Sequence, residues 1–303
     1  MSVKQQAPSS VHNRRAAARR PRRQEQAPRQ RRLVGLAAAG IVLALAVLVA
    51  ARLLSAPPAA TSDGPVPPEV TNVPASTFEQ IGRGAAVSLP VPVRAAVSHG
   101  PTGTPLVTYI GAEYCPFCAG QRWSLIVALS RFGQFADLKT SHSAGDDVFP
   151  NTPTFAFVGS SYSSPYLDFS PVELQTNVRS GSTYTPLQTP TPDQAGVLRE
   201  YDAPPYVPAS SAGAIPFVDI ADQYVISGAS YDVGVLRGQS LESIAQSLAD
   251  PSSPRAQAIV GGANVITAAV CTATGNTPGE VCGQSAIQSL EATLASTPVP
   301  SGA

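Results

Sequence analysis

Apolar and polar positions alternate along this 303-residue chain in patterns that predict a set of helices and strands. An apolar run at residues 105–112 predicts a buried strand, and apolar side chains at helical spacing over 119–130 predict a helix directly after it. Further strands are predicted at 154–158, 162–174, 213–220 and 225–230, and further helices at 241–248, 255–271 and 285–294. The pattern indicates an α/β fold.

The predicted domain covers residues 78–303. Residues 175–210 are rich in Pro, Thr, Ser and Tyr with weak periodicity, so they are predicted to be an insertion that includes a short helix at 192–201. Residues 255–295 form a predicted helical extension at the C-terminus.

The first 77 residues differ in composition from the rest. Residues 1–32 carry ten basic side chains and a single acidic one, whereas residues 52–303 have a net charge of −9. Residues 33–51 have no charge and are long enough, as a helix, to cross a hydrocarbon core of ~30 Å. We predict a basic cytoplasmic tail (1–32), a transmembrane helix (33–54) and a Pro/Ala-rich, extended or disordered linker (55–77).

The basic tail sets the predicted topology. Positive charge stays on the cytoplasmic side, so the main domain is predicted to be extracytoplasmic, on a single-pass anchor in the lipid bilayer of the cell membrane. A cleaved signal peptide is the open alternative, because residues 55–60 are mostly small. Nucleic-acid binding is not expected, since no aromatic residue is interleaved with the arginines and the remaining chain is acidic.

Cys115 and Cys118 enclose Pro116 and Phe117 at the predicted start of the helix after the first strand. Free N–H groups and the helix dipole favour a thiolate at a helix N-terminus, and Pro116 suits the first helical position. Cys115 is therefore the predicted nucleophile. Cys118, one turn further into the helix, is predicted to resolve the mixed disulfide.

Two other roles for this cysteine pair stay open. A zinc site normally needs four ligands, but there is no second closely spaced cysteine pair and the three histidines lack ligand-like spacing, so no metal is expected. An inert structural disulfide is the other alternative, although so short a loop gives little stabilisation.

Pro216 opens the predicted strand pair near the C-terminal part of the domain. A cis bond after Ile215 would keep the neighbouring backbone free to pair with a substrate strand, so Pro216 is the predicted substrate dock. Pro153, after Thr152, is the alternative, but no hairpin and terminal helix follow it. Strand, Cys-x-x-Cys helix, strands, proline-initiated hairpin and closing helix together predict a thioredoxin-like fold with an insertion and extra C-terminal helices.

Cys271 and Cys282 flank a Pro/Gly-rich turn between two predicted helices. They are predicted to form a structural disulfide, because neither has the helix-start position that activates Cys115. A second redox relay is the functional alternative.

Several stretches of the chain resemble domain-of-unknown-function family 929 (DUF929). They are residues 111–133 around the first two cysteines, 152–157, 215–220, 227–231 and 259–271. The resemblance covers roughly residues 75–295. It implies a membrane-anchored, thioredoxin-like protein of the kind found in bacteria and archaea, and it implies no particular activity.

These features together predict a membrane-anchored, extracytoplasmic thiol–disulfide oxidoreductase. Glu113, Pro116, Phe117, Trp123 and Ile215 are the predicted neighbours of the two thiols. Expected partners are protein thiols and disulfides and a membrane redox partner, and no cofactor is expected. The alternative is a redox-inert binding or assembly module on the same scaffold.

Overall fold

Residues 64–301 are described by the computed structural model, and they form a mixed α/β fold. The helices are α1 (Pro68–Thr71), α2 (Ala75–Ile81), α3 (Pro116–Leu129), α4 (Pro192–Tyr201), α5 (Leu241–Ser247), α6 (Pro254–Ala273), α7 (Gly279–Cys282) and α8 (Ser285–Ser296). The strands are β1 (Val91–Pro92), β2 (Leu106–Gly111), β3 (Gln134–Ala136), β4 (Lys139–His142), β5 (Pro153–Ala156), β6 (Ser161–Ser163), β7 (Asp168–Glu173), β8 (Gln175–Ser180), β9 (Thr183–Pro186), β10 (Phe217–Ile220) and β11 (Tyr224–Ser227).

The main sheet has five strands in the order β1-β11-β10-β2-β7. Strand β2 pairs in parallel with β7, where Gly111 lies opposite Glu173, and antiparallel with β10, where Ile110 lies opposite Phe217. The last residues of β2 and β7 and the first residue of β10 therefore meet at one end of the sheet. The segment directly after Gly111 and the segment directly before Phe217 are therefore close to each other at this end.

Strand β2 is buried on both faces, which explains its continuous apolar sequence. Val107 and Tyr109 join the large core formed with α3 and α6, whereas Ile110 points to a smaller cluster on the other face. The smaller cluster includes Phe217 and Tyr201, the last residue of α4. Helices thus cover both sides of the sheet.

Helix α6 packs closely against α3 and against the turn after α2, because two glycines leave room for these neighbours. A Cβ at Gly262 would lie 2.5 Å from the Ser124 Oγ, and one at Gly261 would lie 2.4 Å from the Arg83 carbonyl oxygen. The Ser124 hydroxyl donates across the contact to the Ile259 carbonyl at 2.9 Å. Within residues 64–301, α6 alone has the length and composition of a membrane span, and 83% of its most apolar window is buried inside the protein.

The predicted basic tail (1–32) and transmembrane helix (33–54) lie outside the described residues. The predicted linker (55–77) is partly described, and there the prediction of an extended or disordered tether is wrong. Helix α1 and the start of α2 lie within it, and Val70 is fully buried. Proline composition was misleading here, because Pro68 and Pro74 occupy helix-start positions that tolerate proline.

The predicted strand at 162–174 is two strands in different sheets, since β6 pairs with β3 and β7 pairs with β2. Ser164 makes the break: its Oγ accepts the Leu167 N–H at 3.3 Å and donates to the Phe132 carbonyl at 2.7 Å. The predicted helix of the insertion is confirmed as α4, capped by Thr191. The insertion also contains the hairpin β8–β9, which the sequence pattern did not predict.

Cys271 and Cys282 form a disulfide at the end of α6 and in α7, as predicted. Both are buried, and the covalent link joins two helices across the turn between them. Both sulfurs are buried and neither caps a helix N-terminus, which fits a structural role.

Replacing both Cys271 and Cys282 with Ala should lower the free energy of unfolding by about 3 kcal/mol, because the link closes a short loop in the unfolded chain. For a domain of this size we expect the melting temperature to fall by roughly 6–12 °C. Thermal unfolding and insulin-reduction turnover should be measured on the same samples. Lost turnover with an unchanged melting temperature would instead indicate a second redox couple.

Candidate dithiol site

Cys115 and Cys118 lie at the junction between β2 and α3, with both thiols free. Cys115 is the N-cap of α3, and its Sγ accepts the backbone N–H of Cys118 at 3.3 Å. Pro116 occupies the first helical position. Cys115 is 6% exposed and Cys118 is fully buried, so only Cys115 is within reach of solvent.

The two thiols differ in acidity. The Cys118 side chain, donating a hydrogen bond, lowers the pKa of the Cys115 thiol, and the Cys118 N–H and the Arg122 charge act in the same direction against the cost of burial. Burial raises the pKa of the Cys118 thiol well above its usual range. The negative charge of the pair therefore belongs on Cys115.

Ile215 and Pro216 lie beside Cys115. The Cys115 Sγ is 3.9 Å from the Ile215 carbonyl oxygen, and the Ile215–Pro216 peptide bond is cis. The Pro216 carbonyl accepts the Gly228 N–H at 2.8 Å, which fixes this segment to the far end of β11. The alternative proline, Pro153, is not preceded by a cis bond, and it begins β5.

Trp123 packs in the core and does not line the site. Its indole N–H donates to the Pro153 carbonyl at 2.8 Å, and its ring meets Phe155 edge-on with centroids 4.6 Å apart. The side chain is fully buried in the large core. Its role in the structure is to join α3 to β5.

A buried ion pair lies next to the dithiol. Arg122 binds the Glu173 carboxylate with two nitrogens, Nε at 2.8 Å and Nη2 at 2.7 Å, and Nη2 also donates to the Ala112 carbonyl at 2.8 Å. Both side chains are completely buried. Sequence reasoning missed this pair, although a single charge in an apolar helix, four residues after Cys118, was the available signal.

Glu113 is buried close to this pair and just before the cysteines in the chain. Burial raises its pKa to about 7, with the Arg122 charge opposing and the Glu173 charge adding to the shift. Its Oε2 has no hydrogen-bond partner in the described part of the chain. A carboxyl with this pKa can take up or release a proton at neutral pH.

The hairpin β8–β9 and the loop at residues 143–152 form one wall beside the cysteines. The Tyr114 ring stacks on Tyr184 with centroids 4.2 Å apart, and the Tyr184 hydroxyl donates to Asp146 at 2.7 Å. Arg179 pairs with the same carboxylate at 2.6 Å. The Ala144 N–H donates to the Tyr114 carbonyl at 2.9 Å, so the loop is bound to the residue before Cys115.

Phe117, inside the cysteine motif, is 42% exposed. Its ring meets Phe149 edge-on at 5.8 Å, and the Arg237 guanidinium lies 5.1 Å from the centre of the Phe149 ring. Sequence reasoning named Phe117 but missed Phe149 and Arg237, because their contacts join distant parts of the chain. Among residues 64–301, no group of three or more His, Cys, Asp and Glu side chains is arranged to hold a metal ion.

The family described as "Domain of unknown function (DUF929)" matches residues 96–189. The matched stretch contains both site cysteines, Arg122, Glu173 and the hairpin β8–β9, and it ends before the segment around Pro216. No curated protein and no solved structure matches the chain.

Iodoacetamide at pH 6 should alkylate Cys115 and leave Cys118 unmodified, as read by peptide mass spectrometry. The pKa of Cys115 is lowered, so its reactivity persists below the pH range of an ordinary thiol and is lost only as the pH falls through that lowered pKa. Each unit of lowering raises the thiolate fraction about tenfold at a pH below both values.

Two variants separate the hydrogen bond from the other causes. Cys118→Ala removes the side-chain donor, so the alkylation profile of Cys115 should move to higher pH. Cys118→Ser keeps a donor and should move it less. This assignment would be contradicted if alkylation of Cys115 had the same pH profile as that of a free cysteine, or if Cys118 were modified before Cys115.

Proposed function

We propose, from the geometry of the dithiol, that this chain is a thiol–disulfide oxidoreductase acting on protein thiols and disulfides. The observation that carries the proposal is the asymmetry of the two thiols. Cys115, at the start of α3, has a lowered pKa, and the buried Cys118 has a raised one. This division of roles is what a two-step thiol exchange requires.

The order of the strands supports a thioredoxin-like arrangement around the dithiol. Strand β2 leads directly into the dithiol helix and lies between parallel β7 and antiparallel β10. The hairpin β10–β11 begins directly after Pro216, and the preceding residue, Ile215, lies beside Cys115. The α4 insertion and the helices from α6 onward are additions to that core.

In the first step the Cys115 thiolate attacks one sulfur of a substrate disulfide. A bond forms between Cys115 and that sulfur, the substrate S–S bond breaks, and the other substrate sulfur leaves as a thiolate that takes a proton from water. In the second step deprotonated Cys118 attacks the Cys115 Sγ and releases the remaining substrate thiolate. The substrate gains two electrons, and Cys115 and Cys118 become a disulfide.

The second step needs a proton acceptor for Cys118, whose thiol is fully buried. We assign this role to Glu113, which is buried and has a pKa of about 7. Arg122 links the two groups electrostatically, because its charge lowers the pKa of both Cys118 and Glu113. After this reaction, a membrane redox partner with its own dithiol would reduce the disulfide of Cys115 and Cys118 again. When the chain instead starts with this disulfide, the same steps run in reverse and oxidise a substrate dithiol.

The Ile215 carbonyl supports binding of an extended substrate segment. No backbone N–H of residues 64–301 donates to it, and it lies 3.9 Å from the Cys115 Sγ. A substrate strand running past Cys115 can therefore donate its own N–H to this carbonyl while its sulfur faces the thiolate.

A Cys118→Ala chain should accumulate mixed disulfides through Cys115, because the resolving attack has been removed. Non-reducing gels of the exported fraction, followed by mass spectrometry of the linked peptides, measure the trapped partners. The Cys115→Ala chain is the matched control and should trap none. If Cys118→Ala also traps none, the chain is a redox-inert binding or assembly module.

We also propose that the domain is extracytoplasmic, on an uncleaved N-terminal membrane anchor. The support is the uncharged segment at residues 33–51 beside ten basic residues, which favours a cytoplasmic N-terminus. Protease added outside intact cells should degrade the domain and leave a short N-terminal membrane fragment, while a cytoplasmic marker stays intact. A mature secreted chain beginning near Ala59 would contradict the anchor.

A further inference from the structure

Two of the five exposed large hydrophobic residues in the described part of the chain belong to the cysteine motif and to the loop that contacts it. The large hydrophobic residues exposed within residues 64–301 are Val87, Phe117, Val148, Val178 and Val299. Phe117 lies between the two site cysteines, and Val148, 57% exposed, precedes the Phe149 ring that Phe117 contacts. We call Phe117, Val148 and Phe149 the apolar ledge.

The ledge is held in place before any ligand binds. The Phe149 carbonyl accepts hydrogen bonds from the Ser143 hydroxyl at 3.1 Å and the Thr152 hydroxyl at 2.9 Å, which fixes the loop at both ends. The Arg237 guanidinium lies over the Phe149 ring. Phe117 is fixed by the first turn of α3. A preformed apolar surface binds a ligand without the entropic cost of ordering its own side chains.

Two of the three arginines around the dithiol are already paired with carboxylates. Arg122 is bound to Glu173 and is completely buried, and Arg179 is paired with Asp146. Arg237 is exposed, forms no ion pair within residues 64–301, and lies over the Phe149 ring. The groups available next to Cys115 are instead an apolar surface on one side and the Ile215 carbonyl, a hydrogen-bond acceptor, on the other.

We propose that the ledge binds a large apolar side chain adjacent to the reacting cysteine of an extended polypeptide. This inference rests on the proposed oxidoreductase function. An extended polypeptide presents an N–H for the Ile215 carbonyl, a sulfur for Cys115 and an apolar side chain for the ledge within neighbouring residues. Folded proteins bury most such side chains, so the substrates are unfolded or partly folded chains.

The test uses two symmetric peptide disulfides that differ only in having Phe or Ser next to the cysteine. The full chain in its reduced state should react with the Phe peptide about tenfold faster in kcat/KM, the discrimination expected of one apolar contact. Val148→Ser should remove most of this preference without slowing the Ser peptide. Phe117→Ser should also weaken the preference, but it changes the cysteine motif itself, so Val148→Ser is the cleaner variant.

Val299→Ser is the matched control. Val299 is also an exposed valine. Arg94 donates a hydrogen bond to the Thr297 carbonyl, two residues before Val299, and Arg94 itself is bound to the turn after β10. That turn is at the opposite end of β10 from Pro216. The preference for the Phe peptide should be unchanged in this variant.

The outcomes are distinguishable. Equal rates for both peptides, or a preference that survives Val148→Ser, would overturn the ledge while leaving the oxidoreductase intact. A faster reaction with a small disulfide carrying carboxylates, or a dimer that Val148→Ser dissociates, would also overturn it, because another ligand or a second copy then occupies the surface. If the chain reacts with none of the disulfides, both the proposed function and the ledge are overturned.

Discussion

The buried ion pair of Arg122 and Glu173 fixes the start of the dithiol helix against the sheet. Arg122 belongs to α3, Glu173 ends β7, and the same guanidinium holds the Ala112 carbonyl just beyond β2. Three elements that meet at one end of the sheet are thus joined by one side chain. Removing either partner would leave a buried charge uncompensated, which typically costs about 3–5 kcal/mol.

Stability alone does not explain why this site contains a charge. Well-packed apolar residues often stabilise as much as a buried ion pair, because desolvation offsets most of the attraction. The guanidinium has a second effect, since its charge lowers the pKa of Cys115, Cys118 and Glu113. The exposed pair of Arg179 and Asp146 has no comparable influence on the thiols, because solvent screens it. In the proposed function, the buried pair positions the helix and also tunes the acidity of the site.

Local patterns predicted the parts of the fold whose residues interact with near neighbours. The strand before Cys115, the helix after it, the hairpin from Phe217 to Ser227 and helix α4 were all predictable, because each is coded by spacing or capping within a short segment. The N-cap position of Cys115 follows from the same logic. The disulfide of Cys271 and Cys282 was predictable because a short turn brings the two residues together.

The remaining features depend on contacts between distant residues. Arg122 and Glu173 are separated by 51 residues, and nothing in the sequence around Glu173 indicates its partner. The hairpin β8–β9 lies in a segment of weak periodicity, and its position by the site follows from the stacking of Tyr184 on Tyr114. The helices at residues 68–77 were hidden by proline-rich composition, which is typical of linkers but also of helix starts.

Burial of the two thiols imposes a constraint on the chemistry as well as on the fold. Cys118 is inaccessible, so in the proposed function it reacts only with the Cys115 sulfur of a mixed disulfide that has already formed there. Cys115 is itself mostly covered, with the Ile215 carbonyl 3.9 Å from its sulfur. In the proposed function, a substrate must therefore present its sulfur on an approach to Cys115 that is bordered by the Ile215 carbonyl. The selectivity of such a site comes from which chains can adopt that approach, and the acidity of Cys115 determines only how fast those chains react.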